Sequence, residues 1–160
     1  MKKIIIFSGL LILLSSAGAL AQDERKGTIT ATLGFGIGFS TTVETATQLS
    51  VILDLNFISR TGFTLGLDNT WSYRGGAAGP TQNIMLGAGY TFIRDDWNIG
   101  GMFTISPTAF DLLLGGKIKG GYYFTDDIGV TGIIMYRRIA GIFSDHLSMF
   151  DVFIGPSIRF

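Results

Sequence analysis

The sequence contains one histidine, His146, and its neighbours are residue types that acyl-cleaving sites use. Asp145 precedes it, and Ser148 follows two positions later. On a β-strand, a spacing of two places both side chains on one face. However, no acid follows at a position suited to complete such a site. We therefore favour a polar surface loop here over a catalytic site, and we predict no catalytic residues.

Charged residues form the second set that could do chemistry. Asp54 and Asp68 lie nearly symmetrically about a tight turn at residues 59–62, and two adjacent carboxylates repel unless a cation lies near them. Lys117 and Lys119 lie at a comparable distance from another turn, at residues 125–127. We therefore predict one salt-bridge cluster in which Asp54, Asp68 and Asp151 pair with Lys117 and Lys119.

The elements that would position these residues are β-strands. Apolar and small or polar residues alternate from Thr28 to Phe39, and a sustained period of two indicates a strand. These twelve residues fit the length of about 9–11 residues that a tilted transmembrane strand needs, and seven further segments show the same alternation. The eight predicted strands are residues 28–39, 48–58, 63–73, 84–92, 97–106, 111–124, 128–138 and 150–160.

Longer and shorter connections alternate between these strands, as in outer-membrane barrels with short periplasmic turns and longer outer loops. The sequence thus predicts an all-β fold, an eight-stranded antiparallel up-and-down transmembrane β-barrel. Residues 40–47, 74–83, 107–110 and 139–147 are predicted loops at the outer end.

The two faces of these strands differ in a way that indicates which one meets lipid. The apolar face carries aromatic residues near the strand ends, which matches the aromatic girdles of membrane barrels. These residues are Phe57, Phe63, Phe92, Trp97, Phe124 and Phe160 at the turn end, and Trp71, Tyr73 and Tyr136 at the loop end. A charge in mid-membrane on the lipid face costs about 2–4 kcal/mol for Arg or Lys, so the charged face is placed in the lumen. A soluble barrel would reverse the two faces.

Bulky apolar residues also occur on the lumenal face, and side chains just fill an eight-stranded barrel. They are Ile52, Met85, Met102, Leu113, Tyr123, Ile133, Met135 and Phe153. The charge cluster could be an ion path or a fixed plug. We favour the plug, because the interior has little room and an unpaired buried charge is costly.

The last segment, residues 150–160, alternates between apolar and mainly polar or small residues and ends on Phe160. It resembles the carboxy-terminal signal of bacterial outer-membrane barrels. That resemblance implies that the assembly machinery reads Val152, Ile154, Ile158 and Phe160, and that this strand pairs with the first one. Pro156 cannot donate a ladder hydrogen bond, which predicts a bulge or a missing bond beside it.

The amino terminus has the pattern of a signal peptide. Lys2 and Lys3 precede an apolar core, and a small-x-small site ends at Ala21. We predict a cleaved signal peptide over residues 1–21, rather than an uncleaved anchor, and a single barrel domain over residues 22–160. Without those two lysines, ten of the twelve basic residues remain against twelve acidic ones, a formal charge of −2. No basic patch suggests nucleic acid, there are no cysteines, and no metal or cofactor site is predicted.

The whole predicted mature chain resembles small eight-stranded outer-membrane proteins of the OmpX, OmpA-barrel and opacity-like porin types. The resemblance implies a structural or surface-interaction role in the outer membrane of a Gram-negative bacterium. It implies outer-membrane lipid and lipopolysaccharide as partners, barrel-assembly machinery and periplasmic chaperones during biogenesis, and a monomer. A narrow ion channel or porin is the alternative. A lipid A-modifying enzyme is a lesser one, because His146 and Ser148 resemble the His/Ser pair of a barrel deacylase.

Overall fold

The chain folds into eight strands that close on themselves. In the computed structural model, the described residues are 27–41, 45–74, 81–107, 111–141 and 148–160. The strands are β1 (Thr28–Thr41), β2 (Thr45–Ile58), β3 (Phe63–Arg74), β4 (Thr81–Ile93), β5 (Trp97–Pro107), β6 (Asp111–Tyr123), β7 (Ile128–Gly141) and β8 (Ser148–Arg159). Each strand pairs antiparallel with the next, and β8 pairs with β1, which confirms the predicted up-and-down barrel. None of the described residues forms a helix long and apolar enough to cross a membrane.

Several strands continue further at the loop end than the sequence predicted. The β1–β2 ladder runs without a break to the pair Thr41 and Thr45, so the predicted loop over residues 40–47 is wrong for most of its length. Likewise, β4 already begins at Thr81 and β7 continues to Gly141. Apolar alternation marks only the part of a strand with one apolar face. The backbone ladder continues into polar residues at the start of β4, and past the charged Arg138 into residues 139–141 in β7. The predicted positions of the strands are otherwise confirmed.

Side chains alternate between lumen and exterior along every strand. All eight bulky apolar residues predicted for the lumen are buried. The outward face is apolar and exposed: Leu49, Phe92 and Phe124, for example, each keep 62% or more of their surface accessible. The charged face of the barrel therefore lines the lumen and the apolar face is on the outside, as the sequence predicted from the positions of the charged residues.

The barrel closes where β8 meets β1. Backbone hydrogen bonds join Ile29 and Phe160 in both directions, at 3.1 and 2.9 Å. The pairing is interrupted opposite Pro156 and Gly155, and it resumes in the same register on the far side. The proline thus removes ladder bonds and introduces no bulge. At Gly155 a Cβ would overlap the carbonyl oxygen of Leu33, so the two strands approach closely only because this residue is glycine.

Arg159 fastens the turn end of the barrel next to this seam. Its Nε donates to the carbonyl of Asp126 at 2.8 Å, and its Nη2 donates to the carbonyl of Asp95 at 2.9 Å. The guanidinium also lies 4.4 Å from the ring centroid of Tyr123. The closing strand is therefore linked to the β4–β5 and β6–β7 turns as well as to its neighbouring strands.

Candidate functional site

The lumen contains a charge cluster centred on Lys117. Its Nζ lies 2.5 Å from Asp54 Oδ1 and 2.6 Å from Asp68 Oδ1. Asp54 and Asp68 are directly opposite each other in the β2–β3 register, and Lys117 reaches them from β6 across the lumen. One cation therefore lies between the two carboxylates whose mutual repulsion required it. All three side chains are buried.

Lys119 completes this group, which we call the Lys117 cluster (Asp54, Asp68, Lys117 and Lys119). Its Nζ lies 3.7 Å from Asp54 Oδ2 and donates to Thr30 Oγ1 at 3.3 Å. Asn56 Nδ2 also donates to Asp54 Oδ2, at 2.7 Å. The cluster holds two cations and two carboxylates, so its formal charge is zero.

Asp151 does not join the Lys117 cluster, and that part of the sequence prediction is wrong. Its Oδ2 forms a salt bridge with Arg137 Nη2. Gln48 Nε2 and Ser50 Oγ donate to its Oδ1, both at 3.4 Å. Asp151 and Arg137 form a separate neutral group, the Arg137 pair, nearer the loop end of the barrel.

An apolar layer separates the two charged groups. Its residues are Ile52, Met85, Leu113, Ile133, Met135 and Phe153, which form one buried cluster. On β2, Ile52 lies between Ser50, which bonds to Asp151, and Asp54 of the Lys117 cluster. The side chains of Ile52 and Phe153 cover Gly34, where a Cβ would come within 2.8 and 3.1 Å of them. The lumen is thus layered: charged, apolar and charged.

Some buried polar atoms in this part of the chain have no protein hydrogen-bond partner. Among the described residues they include Arg137 Nε and Nη1, Asp68 Oδ2 and the hydroxyls of Thr70 and Thr104. An unsatisfied buried polar group costs about 1–3 kcal/mol. Besides its ion pairs, the lumen therefore contains buried hydrogen-bond donors and acceptors that no protein group satisfies.

The sequence prediction missed Arg137 as the partner of Asp151. In the β7–β8 register, Asp151 lies opposite Met135, so Arg137 is its diagonal neighbour on the same face. Diagonal neighbours are within reach of long side chains. Both residues are visible in the sequence on one face of neighbouring strands. Their diagonal relation depends on the register of the β7–β8 hairpin, which the sequence of the connection at residues 142–147 does not fix.

The remaining site residues of the sequence prediction lie elsewhere. Val152, Ile154, Ile158 and Phe160 are exposed on the outward face. His146 and Asp145 lie outside the described residues. Ser148 begins β8, and its Oγ is 3.0 Å from the hydroxyl of Tyr136.

Comparison with solved structures places this barrel among known folds. The crystal structure of Neisserial surface protein A (NspA) matches with a TM-score of 0.66 and 13% sequence identity, over 84% of this chain and 100% of that one. A de novo designed transmembrane β-barrel matches with a TM-score of 0.54 and 11% identity, over 87% of this chain and 100% of that one. No protein-family model matches the sequence, and no curated protein matches it at a significant level. The chain has the fold of an eight-stranded transmembrane β-barrel.

Proposed function

We propose that this protein is an integral barrel of a Gram-negative outer membrane with a structural or surface-interaction role, and that its lumen is closed to ions by side chains. The apolar outward face supports the membrane location, since such a surface is stable only in lipid. One similar structure is a neisserial surface protein, which favours a role at the cell surface. Signal-peptide-dependent export, with cleavage after Ala21, is part of this proposal.

The main support for the proposed plug is that the lumenal charges are paired and buried. Each of the six side chains in the Lys117 cluster and the Arg137 pair is at most 2% exposed and lies in an ion pair. A conducting path would need hydrated charges and room for an ion, whereas the apolar layer lies between the two groups. A fixed plug explains both features.

Single-channel recording in planar bilayers tests the plug. Purified protein should give no steady conductance, and Asp68→Asn should not create one. Leu49→Asn is a matched control, because it introduces the same side chain on the outward face, away from the lumenal charges. It should leave the conductance unchanged. A steady conductance that Asp68→Asn abolishes would show that the cluster is an ion path.

The narrow channel remains the second candidate because of the buried polar atoms without protein partners. Arg137 Nε and Nη1 and Asp68 Oδ2 could bind transient water on either side of the apolar layer. Under this alternative, replacing Phe153 or Met85 of the layer by alanine should increase conductance strongly. Under the plug, such variants should lose stability without steady conductance.

We propose no catalytic role for this barrel. The Ser148 hydroxyl lies beside that of Tyr136, at the outward face, and the sequence offers no third group for the His146 and Ser148 pair. Mass spectrometry of lipid A from cells with and without the protein tests this. A changed acyl pattern that depends on His146 would restore the lipid A-modifying alternative.

The proposed partners follow from the membrane location. They are outer-membrane lipid and lipopolysaccharide, with the barrel-assembly machinery and periplasmic chaperones during biogenesis. We propose that the machinery reads the outward residues of β8, namely Val152, Ile154, Ile158 and Phe160. A monomer is proposed, since each strand already has two neighbours within the closed barrel.

A further inference from the structure

The turn end of the barrel has a step where the β2–β3 turn meets β4. The β3–β4 ladder ends at the pair Phe63 and Tyr90, but β4 continues to Ile93 and pairs there only with β5. The β2–β3 turn, residues 59–62, fills part of the step. The carbonyl of Gly62 accepts a hydrogen bond of 2.8 Å from the backbone N–H of Thr91, which fastens the turn to β4.

Gly62 allows this step to be covered closely by an aromatic ring. Its φ of 91° lies in the left-handed region that favours glycine. A Cβ there would also lie 2.5 Å from Tyr90 Cζ, so the ring lies directly over the turn. Tyr90 in turn packs edge to face with Phe92, with ring centroids 5.0 Å apart. The wall of the step is therefore preformed.

An open hollow of about 210 Å³ lies in this step, and its lining is amphipathic. The outward wall consists of Tyr90 and Phe92, both exposed, and Ile93 lines the hollow at the end of β4. The other side consists of Ser59, Arg60 and Thr61, and Arg60 is the one charged residue that lines the hollow. Apolar side chains thus face the position of lipid tails, and a cation with two hydroxyls faces the rim.

The polar side of this hollow suits an anionic oxygen. The hydroxyls of Ser59 and Thr61 are 2.9 Å apart, so one donates to the other and one hydrogen is left for a further partner. The guanidinium of Arg60 has five donors, enough for a phosphate in addition to partners within the protein. Arginine matches phosphate geometry with paired hydrogen bonds. Carboxylates are concentrated at the two other turns of this rim, as Asp95, Asp96, Asp126 and Asp127.

We propose that this hollow binds the phosphate group of a glycerophospholipid in the membrane leaflet at the turn end. The lipid glycerol and upper acyl chains would contact Tyr90 and Phe92, while Arg60 and the hydroxyl pair hold the phosphate. A water-soluble phosphate would use only the polar half of the hollow. This inference rests on the proposed function, since it requires the barrel to lie in a membrane with its turn end in a phospholipid leaflet.

Native mass spectrometry of the detergent-purified chain from residue 22 onward tests the proposal. The probes are dioleoyl phosphatidylglycerol, phosphate-free dioleoylglycerol and soluble glycerol phosphate. The expected result is one phosphatidylglycerol adduct that survives activation, with dioleoylglycerol and glycerol phosphate retained at least about tenfold more weakly. Arg60→Gln should weaken the phosphatidylglycerol adduct about tenfold, the effect of losing one charge-assisted hydrogen bond. Arg94→Gln is the matched control, because Arg94 is exposed on the next turn outside the hollow, and it should leave the adduct unchanged.

Three results would overturn the proposal. They are equal retention of dioleoylglycerol, equal adducts in Arg60→Gln and the unsubstituted chain, or equal loss in Arg60→Gln and Arg94→Gln. A gel run with and without boiling separates this failure from failure of the proposed function. A heat-dependent shift without a phospholipid adduct would refute the lipid site but leave the membrane barrel standing. The absence of a shift, together with solubility in buffer without detergent, would refute the membrane barrel as well.

Discussion

Lys117→Met is the most informative perturbation of this barrel. Methionine keeps an unbranched side chain of similar length but removes the charge between Asp54 and Asp68. Asp54 would keep Asn56 at 2.7 Å and Lys119 at 3.7 Å. Asp68 would lose its only ion-pair partner among the described residues. The substitution therefore leaves a buried carboxylate without a cation.

The expected cost is large compared with the stability of the protein. Removing one partner of a buried ion pair costs about 3–5 kcal/mol. Lys117 serves two carboxylates, at 2.5 and 2.6 Å, which places the expected loss at the upper end of that range. Protein stabilities are about 5–15 kcal/mol, so a third or more of the free energy of unfolding would disappear.

The double variant Lys117→Met/Asp68→Asn is the matched control. It removes one cation and one carboxylate, so the group stays neutral and the pair of Asp54 with Lys119 is retained. Neighbouring charges couple by about 0.5–3 kcal/mol, so the double variant should recover about 2 kcal/mol of the loss. This recovery separates charge balance from the packing lost with the lysine side chain.

Urea unfolding in phospholipid vesicles measures both variants, with Trp71 and Trp97 as fluorescent reporters. Two outcomes would refute the reasoning. One is a loss below about 1 kcal/mol for Lys117→Met, which would mean that the cluster contributes little to stability. The other is a double variant as unstable as the single one, which would mean that packing and not charge decides.

Three further predictions concern closure and assembly. Gly155→Ala should reduce the heat-modifiable form on a gel, because its Cβ would overlap the carbonyl oxygen of Leu33. Gly116→Ala is the control and should fold normally, because no atom lies within 4 Å of its Cβ. Equal behaviour of the two variants would contradict a close approach of β8 to β1 at Gly155. Arg159→Ala should lower the free energy of unfolding by about 2 kcal/mol in the vesicle assay, since it loses two hydrogen bonds to turn carbonyls, and Arg159→Lys should lose less. Phe160→Ala should slow insertion by reconstituted assembly machinery but not spontaneous folding into thin vesicles; an equal effect on both would assign Phe160 a role in stability alone.

The fold was predictable because one physical rule repeats along the chain. Each strand alternates between lipid and lumen, so its face could be assigned from a few residues, as with Leu49 and Ser50 on β2. Asp54 and Asp68 could be placed opposite each other because a short turn fixes the register of their hairpin. Local sequence therefore determines most of the barrel.

What sequence could not determine is the partner of each lumenal charge. Charges meet across the lumen according to the strand register and the reach of each side chain, and neither is visible locally. Lys117 reaches β2 and β3 from β6, whereas Asp151 bonds to the adjacent strand β7. The strand ends at the loop side were also mispredicted, because a ladder can continue past the point where the alternation of apolar and polar residues stops, as it does beyond Arg138 in β7.

The two charged groups contribute to the barrel in different ways. Backbone hydrogen bonds join only neighbouring strands, and the Arg137 pair also joins neighbours, β7 and β8. Lys117 instead links β6 to β2 and β3, strands that share no ladder with it. It therefore opposes movement of β6 away from β2 and β3 on the far side of the lumen. In the plug proposed above, Lys117 would both help to close the lumen and hold these strands together, so stability and impermeability should depend on the same lysine.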